Sequence, residues 1–90
     1  MKAIKIHQPG GPEAMQYEDI TLEAPQRGEV RLRHTAIGVN YLDTYHRSGA
    51  YPLPLPSGLG FEAAGVVEAL GEGVTDLKEG DRVAYGAGPI

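Results

Sequence analysis

Glu29-Val30-Arg31-Leu32-Arg33-His34-Thr35-Ala36-Ile37-Gly38-Val39 decides the fold class. Val30, Leu32, His34 and Ala36 fall on one side of an extended chain, and Glu29, Arg31, Arg33 and Thr35 on the other, the period-2 signature of a strand with one wet face. From Ala36 onward the pattern breaks. Ile37 and Val39 place apolar groups on the formerly polar side and Gly38 interrupts, so the strand either bends or becomes covered on both sides.

Outward from this stretch the same punctuation recurs. Met1 to His7 carries Ile4 and Ile6 on one face with Lys5 between them, which predicts a first strand. Met15 to Glu18 predicts a second, returning antiparallel after Gln8-Pro9-Gly10-Gly11-Pro12. Ala63 to Leu70 and Asp81 to Tyr85 predict two more. Pro52, Pro54 and Pro56 alternate with Leu53 and Leu55, which precludes a helix and favours an extended, polyproline-like path. One helix is expected, Tyr41 to Ser48, capped by Asn40 and closed by Gly49 in the left-handed conformation. The 13 glycines and 7 prolines cluster between these segments as turns of a mainly β domain.

Ninety residues fit one domain with a thin core. The net charge of -4 leaves no broad basic face for nucleic acid, and no apolar run approaches the roughly 20 residues that span a bilayer. Neither nucleic acid nor membrane is therefore an expected partner, and the cytoplasm is the default location. With no cysteine there is no disulfide, thiolate zinc site or thiol nucleophile.

Few residues advertise chemistry. Gly58-Leu59-Gly60-Phe61-Glu62-Ala63 formally matches the dinucleotide fingerprint G-x-G-x-x-G/A, but it follows a proline-rich loop and opens a β-branched run instead of a helix, so its glycines read as turn residues. His7, His34 and His46 are too scattered for a zinc motif. Asp43 and Glu62 are possible acid or base groups, yet either is equally read as a cap, an ion-pair partner or a turn-former. Ala36 to Gly49 is the exception, because polar and aromatic groups, among them the Asn40 amide, are concentrated on one helical turn that follows a buried strand. Such groups suit an amphipathic ring ligand, although on local chemistry alone a cap with two packed tyrosines is the favoured reading.

The order of these segments resembles a known family. Gly10-Gly11-Pro12-Glu13, Ala36 to Gly49, Tyr51-Pro52, Pro56 to Val67 and Gly80-Asp81-Arg82-Val83 are together similar to the N-terminal part of NADPH-dependent quinone oxidoreductases. These form the zeta-crystallin-like branch of the medium-chain dehydrogenase/reductase superfamily. The resemblance implies a GroES-like, partly open β-barrel with a short helix over residues 1–90, incomplete relative to the two-domain family because the Rossmann domain is absent. It implies NADPH as cofactor, bound through that absent domain together with Asn40, Tyr41, Leu42, Asp43, Thr44 and Tyr45. Tyr45 would be a hydrogen-bond donor to the substrate and Tyr51 an aromatic residue at the substrate mouth. The acceptor would be a quinone or another conjugated carbonyl compound.

In zinc-dependent relatives the positions matching Asn40 and Phe61 carry a cysteine and a histidine ligand. A carboxamide and a phenyl ring cannot replace them, so the expected chemistry is zinc-free. The full-length family is expected to be homodimeric, and the 90-residue chain inactive alone. A small co-chaperonin or partner-binding β-module is the alternative, favoured by length and by Leu77 to Val83.

Overall fold

The computed structural model describes residues 1–89. The alternating stretch forms strand β3, Val30–Ile37, which pairs antiparallel with β5, Ala63–Leu70, from Val30↔Leu70 to Ile37↔Ala63. Strand β6, Arg82–Tyr85, lines the other side of β5, from Ala63↔Tyr85 to Val66↔Arg82. β5 is thus central. Its Ala63, Gly65 and Val67 face inward and are buried, which the β-branched, small-residue run from Ala63 to Val67 anticipates. Gly65 has a steric reason: a Cβ there would strike the Arg33 carbonyl oxygen and crowd His34 Cα. On this sheet the His34 and Tyr85 rings lie 6.2 Å apart, and the Tyr85 hydroxyl shares a 3.3 Å hydrogen bond with His34 Nε2.

The break in alternation after Thr35 is a bend. The β3–β5 register shifts twice, between Arg31 and Leu32, where Glu68 is skipped, and between His34 and Ala36, where Thr35 is skipped. Each shift is a bulge that turns the strand. The other expectation, cover on both sides, is corrected: Ile37 is 67% and Val39 87% exposed. Apolar residues after a bulge mark a change of direction here, not a second covered face.

The second sheet is built around β1, Lys2–Ile6. It pairs antiparallel with β2, Gln16–Asp19, from Lys2↔Asp19 to Lys5↔Gln16, after a 3₁₀ turn at Pro12–Ala14 that begins on a proline. An ion pair of 2.9 Å joins Lys2 to Asp19. On the other side of β1 lies β4, Ser57–Gly58, paired through Lys5↔Gly58 and Ile6↔Ser57. Ile6 is fully buried. β4 is absent from the sequence expectation, because two residues are too few to show alternation and they directly follow a proline.

The chain divides into two compact units, Met1–Thr21 with Val39–Phe61, and Leu22–Gly38 with Glu62–Gly88. The first contains the β2–β1–β4 sheet and the single helix, the second the β3–β5–β6 sheet. The fold is mainly β, with no closed barrel among the described residues. Among them, no helix is long and apolar enough to cross a membrane.

Candidate functional site

Helix α1, Tyr41–Ser48, forms where the sequence places it. Asn40 is extended at φ −124°, and its N–H donates to Asp43 Oδ2 at 2.9 Å, while Asp43 N–H donates to the Asn40 carbonyl at 3.0 Å. This satisfies N-terminal donors that a helix cannot pair internally. Gly49 closes the helix at φ 86°, its N–H donating to the His46 carbonyl at 3.3 Å. A left-handed residue at that position favours glycine.

Eight residues make little more than two turns, too few to persist alone, so the helix needs ties. Gly10 N–H donates to the Arg47 carbonyl at 2.9 Å, and Arg47 Nε donates back to the Gly10 carbonyl at 3.2 Å. This reciprocal pair had no counterpart in the sequence reading. Only the Pro9-Gly10-Gly11 turn, which brings a bare backbone within reach of a long basic side chain, could have signalled it.

The helical spacing of Tyr41 and Tyr45 places their rings 5.5 Å apart, edge to face at 69°. Tyr51 N–H donates to the Tyr45 carbonyl at 3.2 Å, folding the chain back after Gly49 so that the Tyr51 ring lies 5.4 Å from Tyr45 at 71°. The structure thus brings together three aromatic residues from the expected set, with Tyr45 in the middle. None is buried: Tyr41, Tyr45 and Tyr51 are 77%, 40% and 56% exposed. Among the described residues, Tyr85 has the only tyrosine hydroxyl engaged in a side-chain hydrogen bond.

The remaining residues of the stretch are more internally committed. Thr44 donates its hydroxyl to the Tyr41 carbonyl at 2.6 Å, and Leu42 is half-buried. Asp43 uses one carboxylate oxygen on the Asn40 amide, and its other oxygen is buried without a partner. Asn40 itself is half-buried at the helix entrance. Phe61 sits edge-on to His46, with ring centroids 6.2 Å apart. The formal G-x-G-x-x-A run leads through β4 and a left-handed Gly60 into β5, so it opens a strand and not a helix N-terminus. His7 pairs with Glu18 at 2.9 Å, which leaves the three histidines in three separate settings.

The alcohol dehydrogenase GroES-like domain family matches residues 26–88. A quinone oxidoreductase of Pseudomonas aeruginosa is 56% identical over 90 residues, an alignment covering 99% of this chain and 28% of that protein. A 2-haloacrylate reductase of a Burkholderia species is 50% identical over 93 residues, covering 98% of this chain and 28% of the relative. Among solved structures, the Escherichia coli quinone oxidoreductase complexed with NADPH superposes with a TM-score of 0.94 at 49% identity, covering 97% of this chain and 27% of that one. The chain therefore spans little more than a quarter of the length of these relatives. The bulged sheet around β5 and the glycine-punctuated path into it lie within the matched residues, and the chain belongs to the alcohol dehydrogenase GroES-like domain family.

Proposed function

We propose that this chain provides the acceptor-facing aromatic turn of a zinc-independent, NADPH-dependent quinone oxidoreductase. The observation that carries the reading is the exposed row Tyr41, Tyr45, Tyr51 beside Asn40. Flat rings with open faces and free hydroxyls fit a nicotinamide and a planar conjugated acceptor, and the amide of Asn40 can both donate and accept. The similarity to an NADPH-complexed quinone oxidoreductase supports the same cofactor and acceptor class.

NADPH, when bound, supplies a hydride that, with a proton, converts a quinone to its hydroquinone. The chain's own residues position and exclude. Asn40 and the turn Tyr41 to Tyr45 hold the nicotinamide end. Tyr51 packs against the acceptor ring, and the Tyr45 hydroxyl donates a hydrogen bond to the acceptor oxygen as negative charge develops. Within this set Asp43 contributes through the Asn40 backbone, given its 2.9 Å bond there.

Zinc-independence rests on donor chemistry: an amide and a phenyl ring stand at Asn40 and Phe61, and neither replaces a thiolate or an imidazole. The family resemblance extends the reading to a cytoplasmic homodimer. No observation on the aromatic turn favours the co-chaperonin alternative.

The test is steady-state kinetics of the full-length protein with NADPH and 1,4-benzoquinone, followed by the loss of NADPH absorbance. Turnover is expected, and Tyr45→Phe should lower kcat by about a hundredfold, the scale of one hydrogen bond made to developing charge. Unchanged turnover and cofactor affinity in that variant would remove Tyr45 from the mechanism.

A further inference from the structure

Arg47 is half-buried and takes part in no ion pair among the described residues; its side-chain hydrogen bond goes instead to the Gly10 carbonyl. The closing carbonyls of a helix have no partner within it. In α1 the Tyr45 carbonyl is taken by the Ser48 hydroxyl and the Tyr51 N–H, each at 3.2 Å, and the His46 carbonyl by the Gly49 N–H at 3.3 Å. Those donors come from the turn itself. The Arg47 carbonyl differs, because its donor is the N–H of Gly10, a short step beyond the end of β1 at Ile6. Pro9 seats on the same end of the helix: a Cβ on Gly49 would lie 3.1 Å from Pro9 Cβ.

All of these residues, with Tyr45 and Tyr51, belong to the first compact unit, whose sheet has β1 at its centre. Of the two bonds between Gly10 and Arg47, the backbone one survives any substitution at position 47, whereas the 3.2 Å one from Nε depends on the side chain. Arg47 stands between Tyr45 and Tyr51 in the chain. What fixes the last turn of α1 fixes the Tyr45 carbonyl, and the Tyr51 N–H is held by that carbonyl. We propose that Arg47 is a positioning residue: its Nε–H, given to the Gly10 carbonyl, anchors the last turn of α1 to the chain leaving β1 and holds the Tyr45 and Tyr51 rings at the spacing the conjugated acceptor requires. The kinetic consequence rests on the proposed function, and the anchor itself on the Gly10–Arg47 geometry alone.

Two neutral variants of the full-length protein test it. Arg47→Gln places an amide N–H as many bonds from the backbone as Arg Nε, and Arg47→Met offers a side chain of the same length with no donor. With NADPH and 1,4-benzoquinone, Arg47→Met should lower kcat by about tenfold, short of the roughly hundredfold loss that a misplacement of about 1 Å can cause. Its KM for NADPH should stay unchanged, because Asn40 and Tyr41 lie at the other end of α1. Arg47→Gln should keep kcat within about threefold of the parent, since a neutral donor makes a weaker bond than a charged one but makes it at the same atom. Hydrogen exchange at the Gly10 and Tyr51 amides reads the anchor without turnover: both should exchange about tenfold faster in Arg47→Met than in Arg47→Gln, the scale of one hydrogen bond lost. Equal kcat in the two variants would overturn the proposal, in favour of a role for the charge if both fall and of a merely structural bond if neither does. A KM for NADPH that rises in step with the fall in kcat would overturn it too. Absence of quinone turnover in the parent protein would instead defeat the proposed function and leave the exchange comparison to decide the anchor, which equal rates in the two variants would refute.

Discussion

Asp43 commits its carboxylate to the entrance of the helix. One of its carboxylate oxygens takes the Asn40 N–H, and the other is buried with no hydrogen-bond partner among the described residues. A cap of this kind contributes about 1 kcal/mol, and the buried unpaired oxygen offsets part of it. Asp43→Ala should therefore destabilise the protein by about 0.5–1 kcal/mol in urea unfolding; a loss above about 2 kcal/mol would mean that the buried oxygen has a partner. The cap and the left-handed Gly49 were legible in the sequence because both follow from local chemistry. The Tyr51–Tyr45 contact was not, since no spacing rule predicts how the chain folds back after a helix ends. The seating of Glu62 against Gly38 was not legible either, because the two stand 24 residues apart in the chain.

Among the elements, β5 bears the most. It pairs on both sides, and its Val67 is fully buried. Val67→Ala removes two methyl groups from a site with little room to collapse and should cost about 2 kcal/mol. Val39→Ala, on an exposed side chain, should change stability by less than about 0.5 kcal/mol. Equal midpoints for the two variants in denaturant unfolding would contradict this assignment of the core. Long strands announced themselves through alternation, and β3 also announced its own bend. The two-residue β4 did not, because its place depends on pairing with Lys5 and Ile6 more than 50 residues away.

At the scale of the molecule, the fully or nearly buried apolar residues among the described ones are few, namely Ile6, Ala63 and Val67, whereas Ile37, Val39 and Tyr41 remain open. The class of fold was readable because turns and periodicity are local. The division into two units was not, because it depends on which segments return to one another: the chain enters the second unit at Leu22 and re-enters it at Glu62. The formal dinucleotide fingerprint opens β5, so no helix N-terminus follows it to receive a pyrophosphate. The 90-residue chain alone should accordingly fail to oxidise NADPH in the presence of 1,4-benzoquinone, and measurable turnover by it would refute that expectation. The reciprocal bonds between Gly10 and Arg47 bear on the order of events in folding. A helix of eight residues does not nucleate securely by itself, and this one is tied by a contact that closes a loop of 37 residues. The helix should therefore consolidate only after the amino-terminal turn has found it, which makes the segment carrying the aromatic row a late arrival and not the seed of the fold.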